Sequence, residues 1–254
     1  MRDKLSPHTL ILLRHGQSSA NADDAFGGWL DSPLTDRGEA EARTAGALLA
    51  AAGLIPETVH ASLLTRALDT ARIALDAVGG ATPPIRRSWR LNERHYGVLQ
   101  GHSRTAVREE FGDALFTRWR RSYDLAPPAV SFDDPNHPRH DPRYAALPPR
   151  ELPAAESLAD VRRRLVPYWQ DAIAGDLAAG RITLVVSHGN SIRAFCTHLD
   201  GLSPDEVQAL NVPTGVPLRY DLDDALTPLV RGGVYLDPER AAEGIAEVAR
   251  QGGR

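Results

Sequence analysis

Lysine is almost missing from this chain. Lys4 is the only one in 254 residues, so 28 of the 29 basic side chains are arginine. A lysine Schiff base or a Walker-type lysine is thereby nearly excluded, because Lys4 falls in a stretch where chain ends commonly fray. Cysteine is as scarce. Cys196 stands alone, which excludes an internal disulfide and any multi-cysteine metal cluster. No apolar run approaches the ~20 residues that a membrane span requires. Residues 1–8 carry one lysine and no apolar core of a secretory signal, so a cytosolic protein with no membrane partner is expected. Excess positive charge is absent too: 33 acidic side chains outnumber 29 basic ones for a net charge of −4. That balance argues against an arginine-rich nucleic-acid binder. What remains is ordinary for a folded enzyme-sized domain, with 42% hydrophobic and 24% charged residues and enough length to bury a sizeable core. The cations it does have are planar, permanently charged and suited to gripping phosphate or carboxylate in two-pronged fashion.

Two short apolar runs, residues 9–13 and 182–186, read as strands buried on both faces of a parallel sheet. Each leads into a histidine followed by glycine, as Leu13-Arg14-His15-Gly16 and as Ser187-His188-Gly189. Between them lie helical patterns. Ala45, Leu48, Leu49 and Ala52 keep helical spacing, with Thr35 as a cap and Gly53 as a stop. Leu64, Ala67, Leu68, Ala71, Leu75 and Val78 repeat it up to Gly79-Gly80, and Leu158, Val161, Leu165, Trp169 and Ala172 form a third stripe that Pro167 is expected to kink. Strand–helix alternation predicts an α/β fold, a three-layer α/β/α sandwich around a mostly parallel sheet. Residues 124–153 carry eight prolines and read as a long ordered excursion within one domain spanning 1–254. The tail, about 232–254, starts at Gly232-Gly233, holds one helix near 239–249 and ends at Gly252-Gly253. It is expected to be mobile, either as a lid over a binding site or as a frayed end.

Both histidines fall where a buried strand ends, the edge at which open α/β sheets bind ligands. Arg14 beside His15 adds a fixed charge there, so the pair of strand ends suggests a shared anion pocket. Leu13-Arg14-His15-Gly16 resembles the signature of the histidine phosphatase superfamily, in which the motif histidine is transiently phosphorylated. Within it, Phe26-Gly27-Gly28-Trp29, Asn92-Glu93-Arg94-His95-Tyr96-Gly97, Leu99-Gln100-Gly101, Trp119-Arg120-Arg121, His140-Asp141-Pro142-Arg143-Tyr144, Ser187-His188-Gly189-Asn190-Ser191 and Asn211-Val212-Pro213-Thr214-Gly215 look like the cofactor-dependent phosphoglycerate mutases over residues 9–250. The resemblance implies His15 as nucleophile, with Arg14, Arg66 and His188 around the transferred phosphoryl group. It implies Glu93 as the proton shuttle. Arg94, Tyr96, Arg104, Arg120 and Arg121 would hold the substrate carboxylate and distal phosphate, with Asn21, Gly27, Gly28, Gly189 and Asn190 as further contacts. A 2,3-bisphosphoglycerate primer, no metal, a small phosphorylated substrate, and a homo-oligomer (dimer or tetramer) are implied with it.

Several residues have blander readings. His95 is expected to be a satisfied core histidine, His102, His137 and His140 loop residues, Cys196 a core residue, and Trp29 and Trp119 packing walls. The chain also departs from the family pattern. Gln17 replaces a glutamate, Ala20 a tryptophan, Ala25 an arginine, Gly27 a threonine or serine, Arg104 a lysine, and Ala155 a hydroxyl residue. None removes a group that the chemistry needs, yet together they loosen the substrate loop and keep a phosphatase with the same nucleophile as the alternative to a mutase.

Overall fold

An uninterrupted apolar strand needs cover on both faces, and the central strand of this protein has it. The computed structural model describes residues 8–251; Lys4 and the Gly252-Gly253 pair lie outside them. Strand β1 (His8–Arg14) sends Leu10 and Leu12 to one side and Ile11 and Leu13 to the other. Among the described residues, six strands are ordered β3-β2-β4-β1-β5-β6. Here β2 is Thr58–Ala61, β3 Ile85–Arg87, β4 Thr183–Ser187, β5 Leu218–Leu222 and β6 Val234–Tyr235. The four strands from β3 to β1 are parallel, while β5 and β6 add an antiparallel edge. In β5 the residues alternate between buried and half-buried, a period of two that the sequence reading passed over together with the short β2, β3 and β6.

On the Ile11 face lie α2 (Asp36–Ala51) and α3 (Thr65–Val78). Thr35 caps α2 by accepting from the Gly38 amide at 3.1 Å, and α3 stops at Gly79, whose φ of 76° favours glycine. Ala52, expected on the apolar stripe, is exposed just past the end of α2. On the Leu10 face lie α5 (Leu158–Tyr168) and α7 (Gly189–Asp200). Pro167 does not break the helix outright. It sits in the last turn of α5, and a wider π-helical turn, Trp169–Ile173, follows before α6 (Ala174–Ala178). The wider turn moves the inward position by one residue, so Ile173 is fully buried and Ala172 only partly.

The remaining helices border the carboxyl ends of the parallel strands. They are α1 (Ser19–Ala22), α4 (Arg104–Arg121, interrupted at Gly112), α8 (Pro204–Ala209) and α9 (Pro238–Arg250). Residues 124–153 hold only short 3-10 turns, each opened by a proline: Pro138–His140, Pro142–Tyr144 and Pro149–Glu151. Tyr144 and Leu152 from this stretch pack against Trp29.

Candidate active site

Register brings the two histidines together. Arg14 pairs with Ser187 at the ends of β1 and β4, and the His15 amide donates to the Ser187 carbonyl at 3.0 Å. The next residues on the two chains, His15 and His188, therefore meet edge-on with ring centroids 4.9 Å apart. Strand β2 ends alongside at Ala61, and its continuation Ser62 places Oγ 2.7 Å from His188 Nε2.

The tautomer of His15 follows from its partners. Its Nδ1 lies 2.7 Å from the Gly16 carbonyl, which can only accept, so Nδ1 carries the proton. Nε2 then has a free lone pair, to which Arg66 Nε donates at 3.2 Å. Burial, reinforced by Arg66 and Arg14, holds the His15 pKa well below the ordinary histidine value, and burial with Arg66 does the same to His188. Both rings are neutral at pH 7.

Arginines surround this pair. Arg66, in the first turn of α3, also donates to Gly28 O (2.8 Å) and Leu30 O (3.0 Å), and burial pulls its pKa down to about 10. Arg14 donates to Val212 O at 2.6 Å. Across the cavity, Arg104 pairs with Asp24 at 2.9 Å, while burial followed by Arg121 and Arg104 pulls Arg120 down to about 9. The Glu93 carboxylate lies between. Its Oε1 accepts from the Arg94 amide (2.8 Å), the Asn190 amide (3.2 Å) and Asn190 Nδ2 (3.1 Å). Asn190 Nδ2 also donates to the Tyr96 hydroxyl at 2.9 Å. Because Gly189 and Asn190 open α7, the positive end of that helix faces the same space.

Of the residues singled out from sequence, Arg14, His15, Asn21, Gly27, Gly28, Arg66, Glu93, Tyr96, Arg104, Arg120, Arg121, Gly189 and Asn190 line one cavity. His188 and Arg94 do not line it. Both are fully buried, His188 against His15 and Arg94 with its guanidinium 4.6 Å over the Tyr96 ring. Asn21 has its Oδ1 engaged by Ser18 in the α1 capping box. His95 is buried in the core and pulled down to about 3 by burial. His137 stands in its loop but is buried, its Nδ1 accepting from the Arg139 amide. Burial also lifts Cys196 to about 12 and leaves it an inert core thiol. Trp29 is more than a wall, since its Nε1 donates to the Glu93 carbonyl at 2.6 Å.

Sequence reading missed Arg193, which lines the cavity, donates to Asn190 Oδ1 at 2.8 Å and is pulled down to about 9 by burial and by Arg121. Its one-turn spacing from Asn190 was the available signal. Among the described residues lining the cavity, six are arginines and Glu93 is the one carboxylate. Arg14 Nε, Arg94 Nε and Nη1, and His188 Nδ1 are buried without a hydrogen-bond partner among the described residues. Ser62 Oγ accepts from the Leu64 amide, so its hydroxyl can donate to His188 Nε2 and leave an N–H on Nδ1. Of these, Arg14 lines the cavity, where its unmet donor suits a multiply charged anion.

The family model for the histidine phosphatase superfamily (branch 1) matches residues 10–137 and 132–225. The chain belongs to the histidine phosphatase superfamily. Among curated members it is 55% identical over 244 residues to the 2,3-bisphosphoglycerate-dependent phosphoglycerate mutase of Thermobifida fusca (strain YX), covering 96% of this chain and 99% of that protein. It is 52% identical over 250 residues to the enzyme of the same name from Rhodococcus opacus (strain B4), covering 98% and 99%. Solved structures of the superfamily fold alike. Bacillus stearothermophilus YhfR superposes with a TM-score of 0.65 at 25% identity over 90% of this chain and 98% of that one. A mycobacterial glucosyl-3-phosphoglycerate phosphatase superposes with 0.65 at 25% identity over 84% and 90%.

Proposed function

We propose that this chain interconverts 3-phosphoglycerate and 2-phosphoglycerate through a phosphohistidine at His15. The observation that carries the reading is the unprotonated Nε2 of a neutral, buried His15, oriented by the Arg66 donor at an arginine-lined cavity. Identity above one half with named mutases across nearly the whole chain supports it. In the transfer, Nε2 attacks phosphorus, and the N–P bond forms as the ester P–O bond breaks. Arg14, Arg66, His188 and the start of α7 take up the charge that spreads over the phosphoryl oxygens. The Glu93 carboxyl gives a proton to the departing oxygen. For transfer back it takes one from the accepting hydroxyl, which then bonds to phosphorus and frees His15. Tyr96, Arg104, Arg120 and Arg121 hold the carboxylate and the distal phosphate, with Arg94 acting from behind the Tyr96 ring, while Asn21, Gly27, Gly28, Gly189 and Asn190 complete the wall. Arg14, whose Nε is buried without a partner among the described residues at the cavity wall, with Arg66, Arg104, Arg120 and Arg121, would hold a 2,3-bisphosphoglycerate primer, which would supply the first phosphoryl group for His15.

In this reading no metal takes part and the enzyme is a cytosolic homo-oligomer. The segment from Gly232 closes over the site while the bisphosphate turns around. The test is purified protein given 3-phosphoglycerate with and without bisphosphoglycerate, following 2-phosphoglycerate and free phosphate together. Primer-dependent 2-phosphoglycerate is expected; free phosphate as the main product would make the chain a phosphatase. His15→Ala is expected to lose turnover and acid-labile labelling while staying folded, and normal labelling of that variant would refute the nucleophile.

A further inference from the structure

A proton-transfer group on a segment with little regular structure must be held from outside. Glu93 is such a group. The only regular element in its approach is a single 3-10 turn, Trp89–Leu91. Four carbonyls of this segment converge on one guanidinium, that of Arg164 in α5. Its Nη1 lies 2.7 Å from Arg90 O and 3.5 Å from Trp89 O, and its Nη2 lies 2.9 Å from both Asn92 O and Glu93 O. Glu156, just ahead of the Ser157 cap of α5, holds the guanidinium in turn. Oε1 takes Nε at 2.6 Å and Oε2 takes Nη2 at 3.0 Å. Glu156 also grips the far end of the segment, with Oε2 accepting from the His95 amide at 2.9 Å and its own amide donating to His95 O at 2.8 Å. Both side chains are buried, and the guanidinium sits 5.7 Å from the Trp29 ring and 6.0 Å from the Trp89 ring.

A buried ion pair is a weak reason for stability, because desolvating both charges offsets most of their attraction. What this pair offers that apolar packing cannot is direction: a rigid planar fork with donors on three edges. We infer that Arg164, oriented by Glu156, is a positioning residue that sets where the Glu93 carboxylate stands against the substrate oxygen. The inference rests on the reading of Glu93 as the proton carrier. Proton transfer works only within hydrogen-bond reach, so a small displacement of the Glu93 main chain slows chemistry without removing any group that binds substrate. Lysine would keep the charge, but its single ammonium cannot span carbonyls on both arms of the fork.

The experiment is a mutant cycle on the full chain, measuring 2-phosphoglycerate formation with excess bisphosphoglycerate in wild type, Arg164→Lys, Glu93→Gln and the double variant. Arg164→Lys is expected to lower kcat ~10–100-fold with KM within about twofold. The double variant is expected to turn over within about twofold of Glu93→Gln alone, because the two changes disable one function. A slow Glu93→Gln whose effect multiplies with that of Arg164→Lys overturns the positioning role alone, as does a loss confined to KM. An unchanged kcat in Glu93→Gln removes the proton-carrier reading, and the positioning role falls with it. Should Arg164→Lys fail to fold, Glu156→Gln goes through the same cycle. It keeps an oxygen on the His95 amide but loses the counter-charge and the acceptor for Arg164 Nε, so a lower kcat with the same non-additivity is expected, and full additivity overturns the inference.

Discussion

His15, His95 and His188 are three of the five described imidazoles that are buried and held below the ordinary histidine pKa, His95 at about 3. Burial is the largest cause in each case, and the cavity arginines add to it for His15 and His188. All three are neutral in the folded chain, and each takes up a proton near pH 6.5 once the chain unfolds. As pH falls through that range the unfolded state binds more protons than the folded one, so stability present above pH 6.5 is lost below it. Each group contributes up to about 1.4 kcal/mol per pH unit to the slope. Melting curves from pH 7.5 to 5.5 in phosphate-free buffer are expected to show a falling midpoint, with a shallower slope in His15→Ala. An identical slope in that variant would mean that His15 takes up its proton in the folded chain as readily as in the unfolded one.

Helix packing sets the sensitivity of the layers around the sheet. A Cβ on Gly46 of α2 would lie 2.2 Å from Ala74 O in α3, and that oxygen is backbone that cannot step aside. Gly46→Ala gains roughly 1 kcal/mol of helix propensity but forces an overpacked contact costing ~1–3 kcal/mol. The net expectation is a lower urea midpoint, and a more stable variant would show that the two helices can separate freely. The opposite case is α9. Among its described residues only Ala241 is buried, and its outer tie is the half-exposed pair Arg37–Glu247 at 2.6 Å, a kind of contact worth ~0–1 kcal/mol. Its inner tie is Arg120 Nη2 donating to Val248 O at 3.1 Å, at the cavity wall. A helix held this lightly can move, and deleting residues 234–254 is expected to lower mutase turnover while sparing or raising phosphate release from bisphosphoglycerate. An unchanged ratio of the two activities would speak against gating by the tail.

For the whole molecule, charge is distributed against its own total. The chain is net −4, yet among the described residues its cavity gathers six arginines around one carboxylate. Low-dielectric walls keep that local field strong at physiological salt, where exposed charges are screened beyond ~8 Å. A cavity of this sign repels a divalent cation and supplies by arginine the charge that a metal would bring. Full activity is therefore expected after exhaustive treatment with EDTA. Loss of turnover restored by an added divalent metal would sink that expectation.

Much of the architecture was legible because its signals are local. Residues 9–13 and 182–186 are apolar at every position but Thr9 and Thr183, a pattern that suits a strand covered on both faces. The stripe on α3 and the Thr35 cap depend on neighbours within a few positions. The antiparallel β5 and the π-helical turn after Pro167 were not legible, since one needs a partner strand and the other changes the helical period that the sequence pattern assumes. The same division runs through the site. His15, His188 and the arginine-rich motifs stand out in the chain itself, and their order was enough to suggest the superfamily. Tertiary structure alone decided that Arg14 and Ser187 share a register, so that the two imidazoles meet. It alone joined Ser62 to His188, Arg193 to Asn190, and Arg164 to four carbonyls some seventy residues away. A hydrogen bond has no sequence period when its partners sit on different elements, so geometry is the only place where it can be read.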